Sequence, residues 1–346
     1  MKKIPEVKND FKELYGRLLT NQETNIFIAA IELGVFQELS EWKSPEELAE
    51  GLHLNPTKTS VFLNSLASLD LIEKKDGRFK NSSVADEFLA VKNDIYLGDF
   101  LLSCYQWYNM SSGDICNLVR NGPGERCMPE IVRSWSQESE EMWAGQAKLS
   151  VNYQRSGMVQ LATRLVYSLP EYPSFKKMLD LGCGPGLFGI SMTMSHPSMT
   201  AVLFDRPAVA RVAERVVEDY EMSDRIEVLQ GYYITGPIGE DYDLVWASMT
   251  LDFAKDRMNE VITKIHDSLN PGGVFVSFSD GKTDEGTKPK EMVLGTLMPA
   301  LYWDNPGLNE GIIAGSMIEA GFASVRSRTL MTPIGEVMLD IARKHV

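Results

Sequence analysis

The sequence predicts an α/β protein whose C-terminal half is a mostly parallel sheet with helices on both faces, set behind an N-terminal helical module. Three observations carry this. From Phe175 onward, seven short apolar runs alternate with helical stretches, the pattern of strands buried on both faces. The first of those runs opens directly into "LGCGPG", a glycine-rich link to a helix. Before residue 169, apolar residues recur at helical spacing, with one hairpin signal among them.

Taken in order, Phe11–Leu39 places Leu14, Leu18, Leu19, Ile26, Ile28, Ala29, Ile31 and Leu33 at helical spacing, and Gly34 ends that run. In "SPEELAEG" Ser44 is an N-cap, Pro45 suits the first turn and Glu47 completes a capping box, so a short helix closes near Gly51. "NPTKTSVFLNSLASL" repeats the design, with Asn55 as cap, Pro56 at the start and Val61, Phe62, Leu66 and Leu69 as the apolar stripe. Asp76-Gly77 then sits between two alternating runs, a hairpin signal. Helix, turn, helix, hairpin is the order of a winged helix. Its second helix offers only Lys58 and Asn64 to a groove, and residues 1–97 hold 12 Lys/Arg against 16 Asp/Glu. That is the wrong sign for a phosphate footprint. Packing or dimerisation is the better role, and no nucleic-acid partner is expected.

Residues 99–168 read as helices rich in aromatics and methionine. One long stretch, "ESEEMWAGQAKLSVNYQRSGMVQLATRLVYSL", ends before Pro170. Side chains such as Tyr105, Tyr108, Trp143 and Tyr153 build cores, and they also line pockets for flat apolar ligands. The strands that follow are KMLDLG, TAVLFD, IEVLQG, YDLVWAS, GVFVSF, SVRSRTL and EVMLDIAR. Helices fall between them at Gly186–Ser195, Pro207–Tyr220, Asp256–Leu269 and Gly311–Ala320.

The bulk numbers exclude several classes. A net charge of −14 disfavours nucleic acid and anionic membrane. No apolar run reaches a membrane span, and "MKKIPEVKNDFKEL" lacks the apolar core of a signal peptide. Cys104, Cys116, Cys127 and Cys183 form no CxxC pair and histidine numbers four. Free thiols in a reducing cytoplasm are expected, with no metal site.

The glycine loop is the sharpest motif. Gly182, Gly184 and Gly186 remove side chains between a strand and a helix N-terminus, where backbone N–H groups can approach a ligand. Asp205 ends the next strand, about 20 residues on, where an acid accepts both ribose hydroxyls. The spacing is G-x-G-x-G with Pro185 inside, whereas a dinucleotide fold needs G-x-G-x-x-G. Together with Asp180, "LDLGCGPG" resembles the first motif of S-adenosylmethionine-dependent methyltransferases.

The likeness extends over the whole chain. "LFDRP" at Leu203–Pro207, "DRIEVLQG" at Asp224–Gly231, "LNPGG" at Leu269–Gly273 and "EAGF" at Glu319–Phe322 resemble landmarks of the small-molecule O-methyltransferase family. That family includes hydroxyindole and caffeate methyltransferases and bacterial polyketide-tailoring enzymes. The resemblance implies a winged-helix-like dimerisation domain (1–98), a helical substrate-binding region (99–168) and a Rossmann-like class I methyltransferase domain (169–346). It implies S-adenosylmethionine as cofactor, a small aromatic acceptor, and an intertwined homodimer. Cofactor contacts are expected from Asp180, Gly182, Gly184, Gly186, Asp205, Arg206, Gly231, Tyr232, Tyr233, Trp246, Ala247 and Ser248. Asp180 would sit near the cofactor's ammonium. The acceptor is expected to meet Tyr105, Tyr108, Trp143, Tyr153, Met249 and Leu251.

Three departures bear on chemistry. "QGYYIT" puts Tyr232 where the family carries an acid near the adenine, and Ala247 stands where it often has lysine. Most important, the O-methylating members use a histidine in "H-D-W" to take the acceptor's proton. Here "SMTLDF" puts Leu251 in that position. His53, His196, His266 and His345 lie away from strand C-termini, where such sites form. Asp252, Asp280 and Glu310 are the remaining candidates for a catalytic acid or base. O-methylation leads. C- or S-methylation of an already nucleophilic acceptor, or a non-catalytic ligand-binding homologue, is the alternative.

Overall fold

The computed structural model describes residues 3–124 and 128–346; Cys127, expected as a free thiol, lies outside them. The chain forms two compact units, Met1–Tyr105 and Gln106–Val346.

In the first unit a helix runs Lys12–Glu32, and Gly34, at φ 72°, turns the chain into the short helix Val35–Glu38. The helix Pro45–Gly51 starts on the capping box: Ser44 Oγ accepts from the Glu47 N–H at 3.2 Å and the Glu47 carboxylate accepts from the Ser44 N–H at 2.6 Å. Asn55 caps Pro56–Ser68 by accepting from the Lys58 N–H at 3.1 Å. Strands β1 (Ile72–Lys75) and β2 (Arg78–Asn81) pair antiparallel across Asp76 and Gly77, both at positive φ, as a two-residue hairpin of matching twist requires. Leu48, Leu63, Leu66, Ile72 and Phe79 close the core.

In the second unit the strands are β3 (Lys177–Leu181), β4 (Thr200–Asp205), β5 (Ile226–Gln230), β6 (Tyr242–Ser248), β7 (Leu269–Ser279), β8 (Ser324–Thr332) and β9 (Gly335–Arg343). They form one sheet in the order β5-β4-β3-β6-β7-β9-β8. Pairing from β5 through β7 is parallel, and β9 runs antiparallel to β7 and β8. Side chains alternate between the faces. Met178, Leu203, Leu244 and Phe278 join one core, and Leu179, Val202, Val245 and Phe275 join the other, the period-two pattern of a sheet covered on both sides. Helices Leu187–Ser195, Pro207–Asp219, Met258–Ser268 and Ile312–Glu319 supply the cover. Strand order reverses between β3 and β6, and in open α/β sheets ligands bind outside the strand C-termini at that point.

The structure corrects the sequence reading in three places. "LNPGG" belongs to β7, which begins at Leu269 opposite Tyr242 before an irregularity shifts the register. The long helical stretch does not run through to Pro170; it breaks at Gln154–Met158 because Gly157 takes φ 113°. Short helices Lys290–Gly295 and Leu297–Trp303 were not read at all. Their Met298 and Tyr302 close a small cluster with Leu118 and Val132.

Candidate functional site

Beyond β3 the chain makes a tight loop. Gly182, Gly184 and Gly186 all take positive φ. The Gly182 and Cys183 N–H groups both donate to the Phe204 carbonyl, at 2.8 and 3.1 Å. A Cβ at Gly182 would stand 2.2 Å from Thr250 Oγ1, so only glycine fits against the end of β6. Gly186 forms the N-cap of the helix Leu187–Ser195 and has no side chain to cap it. Asp180 fills that role from the strand: its carboxylate accepts from the Gly189 N–H at 2.8 Å, the third N–H of the helix.

Over this loop opens a cavity of about 500 Å³, within the range of small-ligand sites. Gly182, Gly184, Asp205, Arg206, Gly231 and Tyr232 line it on the β3, β4 and β5 side. Asp205 is held firmly: one oxygen accepts from the Gly184 N–H at 2.8 Å and the other from the Arg206 N–H at 2.7 Å. Each oxygen keeps capacity for a further bond. Burial lifts its carboxyl to about 6, against the pull of those two N–H groups and of Arg206. Tyr233 and Thr250 bond to each other across the cavity floor. The turn carrying Tyr232 and Tyr233 is held from behind by the Lys264 ammonium, which donates to the carbonyls of Tyr233 and Gly236 at 2.7 Å each.

The helix Glu140–Tyr153 forms the opposite wall. Glu140 ties it to the sheet's edge. One oxygen accepts from the Ala208 N–H at 2.8 Å, at the start of the helix Pro207–Asp219, and the other accepts from the Tyr232 hydroxyl at 3.1 Å. The Arg206 guanidinium lies 4.4 Å from the Trp143 ring and 5.7 Å from that of Tyr232, within cation–π range. Trp143 meets Phe253 and Trp135 edge-on, at 5.2 Å each. Trp135, Trp143, Tyr153, Met249 and Phe253 make this part of the cavity aromatic and apolar.

The expected residues therefore divide. Gly182, Gly184, Asp205, Arg206, Gly231, Tyr232, Tyr233 and Ser248 line the cavity, as do Trp143, Tyr153 and Met249. Asp180 does not: at 1% exposure it lies beneath the loop, where burial pushes its carboxyl up to about 7. Gly186 is enclosed by Leu203 and Ala213. Trp246 and Ala247 are buried on opposite faces of β6, Trp246 against Phe188 and Phe278. Tyr105 belongs to the first unit, where its hydroxyl donates to Asn25 at 3.2 Å. Tyr108 is exposed and off the cavity wall.

The catalytic candidates lie off the wall as well. Leu251 opens the 3₁₀ turn Leu251–Arg257 and is 1% exposed, packed in the core below the sheet's edge. Asp252 and Asp280 are each lifted to about 6 by burial, and the charge of Asp280 adds to the rise at Asp252. Glu310 is exposed, its N–H donating to the Lys282 carbonyl. His196 is buried and structural, bonded to the Tyr172 carbonyl and accepting from the Met199 N–H. Among the described residues, no histidine lines the cavity. The wall also holds residues the sequence reading missed, chiefly Gln154, Trp135, Thr250 and Phe253.

Comparison with known proteins follows this geometry. Residues 138–300 match the O-methyltransferase domain, and residues 22–91 match the O-methyltransferase dimerisation domain. The N,N-dimethyltransferase OxyT of Streptomyces rimosus is 26% identical over 84% of this chain and 82% of its own. The 3-hydroxy-5-methyl-1-naphthoate 3-O-methyltransferase of Streptomyces sahachiroi is 23% identical over 79% and 80%. Among solved structures, human N-acetylserotonin methyltransferase in complex with S-adenosylmethionine superposes with a TM-score of 0.74 at 18% identity, covering 99% of this chain and 100% of that one. The chain is a member of the O-methyltransferase family and carries that family's dimerisation domain as well as its catalytic one.

Proposed function

We propose that this methyltransferase moves a methyl group from S-adenosylmethionine to a small, largely apolar, aromatic acceptor without an imidazole base. The cavity suits the nucleoside of that cofactor. Asp205 has capacity for two ribose hydroxyls, the glycine loop leaves backbone N–H groups open to approach, and Tyr232 and Arg206 present flat faces to a base. When bound, the cofactor supplies a methyl group on a sulfonium, already activated for displacement. The protein's own part is to hold the two partners in line and exclude water. Trp135, Trp143 and Phe253 do this on the acceptor side, as a dry aromatic wall.

The single observation that carries the base-free reading is Leu251, apolar and buried at the position where the family places its histidine. A phenol of ordinary pKa near 10 needs a base near neutral pH. An acidic phenol, ionised beforehand, does not. O-methylation of such a phenol is the leading reading. A second reading, methylation of an amine, is favoured by the relative named as an N,N-dimethyltransferase, since a neutral amine attacks through its own lone pair.

The test is an acceptor panel followed by release of S-adenosylhomocysteine. The expected outcome is turnover of acidic phenols or aromatic amines and little of weakly acidic phenols. Leu251→His should leave the rate on weakly acidic phenols within about twofold, because position 251 lies in the core, off the cavity wall and out of reach of an acceptor's proton. A wild-type enzyme that prefers weakly acidic phenols, with a rate rising through a group near pH 6, would instead assign the base to Asp252 or Asp280.

A further inference from the structure

The helix Glu140–Tyr153 does not continue into Val159–Tyr167. Between them Gln154–Met158 forms a kink, in which Ser156 and Gly157 leave helical geometry. A Cβ at Gly157 would meet Pro333 Cγ at 3.0 Å, and its φ of 113° suits glycine alone, so the break is written into the chain.

Gln154 stands at the start of this kink, its own backbone still helical. It is 8% exposed, yet it lines the cavity, with Nε2 only 3.7 Å from where a Cβ on Gly184 would stand. Its Oε1 is buried without a hydrogen-bond partner. Buried carboxamides are ordinarily satisfied, and one left open beside a ligand site marks a bond that the ligand completes. Gly184 is flanked by two different groups: Asp205 accepts from its N–H, and Gln154 lies against its Cα. Among the described residues, the wall's one carboxylate and one guanidinium, Asp205 and Arg206, are both on the β4 side. On the Gln154 side the wall is uncharged.

We infer that Gln154 binds the α-amino-acid end of the methyl donor. A carboxamide offers one acceptor and two donors without net charge. That set complements a zwitterion, accepting from its ammonium and donating to its carboxylate; a half-turn of the amide sets which end faces which. With ribose on Asp205, the 5′ substituent runs past Gly184 toward Gln154. The assignment rests on the methyl-donor reading of the cavity.

The experiment compares two ligands by calorimetry. S-adenosylhomocysteine carries the amino-acid end; 5′-methylthioadenosine has the same nucleoside and thioether without it. Gln154→Met keeps the length and removes the amide. It should weaken S-adenosylhomocysteine by about tenfold or more, a lost bond to a charged group, and leave 5′-methylthioadenosine within about twofold, too small a shift for a lost bond. Gln154→Glu, which keeps the shape and sets a charge against the ligand carboxylate, should show the same selectivity if Gln154→Met does not fold. Equal weakening of both ligands would assign Gln154 a structural role and overturn the inference, as would no change in either. Wild-type protein that binds neither ligand would remove the methyl-donor reading itself, and the assignment with it.

Discussion

Asp205 is the residue on which the nucleoside reading turns, and its ionisation makes that reading measurable. Burial holds its carboxyl at about 6, above the ordinary aspartate value. Because the shift is upward, the ionised form that accepts two hydroxyls is present above about pH 6 and lost below it. Affinity for S-adenosylhomocysteine should fall about tenfold per pH unit below that point. Asp205→Asn should bind weakly at every pH, with a flat profile; a flat profile in the wild type would contradict the role. Asp205 was legible in the sequence because its signal is local, an acid at a fixed distance beyond a glycine loop. Gln154 was not. It sits some 30 residues before the loop, in a stretch whose periodicity reads as continuous helix, and only Gly157 hints at the break. Trp246 and Ala247 lie off the cavity wall for a simpler reason: alternation along a fully covered strand sends both side chains into cores.

At the scale of elements, the helix Glu140–Tyr153 closes the cavity because Glu140 anchors it. That carboxylate caps the helix Pro207–Asp219, whose own N-cap, Arg206, makes no side-chain cap bond. Glu140→Ala should destabilise the protein by about 1 kcal/mol through the lost cap and the lost charge at a helix N-terminus, measured by urea unfolding. It should also free the Tyr232 hydroxyl. The kink at Gly157 makes a second prediction. Gly157→Ala should cost about 1–3 kcal/mol, because alanine is strained at that φ, and an unchanged unfolding midpoint would show that the turn relaxes. The capped helices and the β1–β2 hairpin were readable because Ser44, Asn55 and Asp76-Gly77 act within a few residues. The helices Lys290–Gly295 and Leu297–Trp303 carry no side-chain cap; Met292 of the first joins the sheet's core, and Met298 and Tyr302 of the second pack with Leu118 and Val132, distant partners that no local signal reports.

For the whole molecule, the matched dimerisation domain supports a homodimer. The first unit leaves Phe11, Leu14 and Leu18 more than two-thirds exposed, three or four residues apart on the helix Lys12–Glu32 and its start. An exposed apolar stripe of that kind marks a protein interface. Leu14→Glu combined with Leu18→Glu should convert the dimer to monomer by light scattering while the second unit keeps its fold; a double variant that stays dimeric would place the interface elsewhere. The mostly parallel sheet covered on both faces was foreseeable from strand alternation; its strand order was not. The aromatic part of the cavity was legible only in part: Trp143, Tyr153 and Met249 were expected on it, whereas Phe253, more than 100 residues beyond Trp143, reaches it only through the fold. The most direct test of the account is a calorimetric titration of the intact protein with S-adenosylhomocysteine and, separately, with a nicotinamide dinucleotide. The account predicts one S-adenosylhomocysteine site per chain, abolished by Asp205→Ala, and no heat from the dinucleotide; binding of the dinucleotide, or none of S-adenosylhomocysteine, would contradict it.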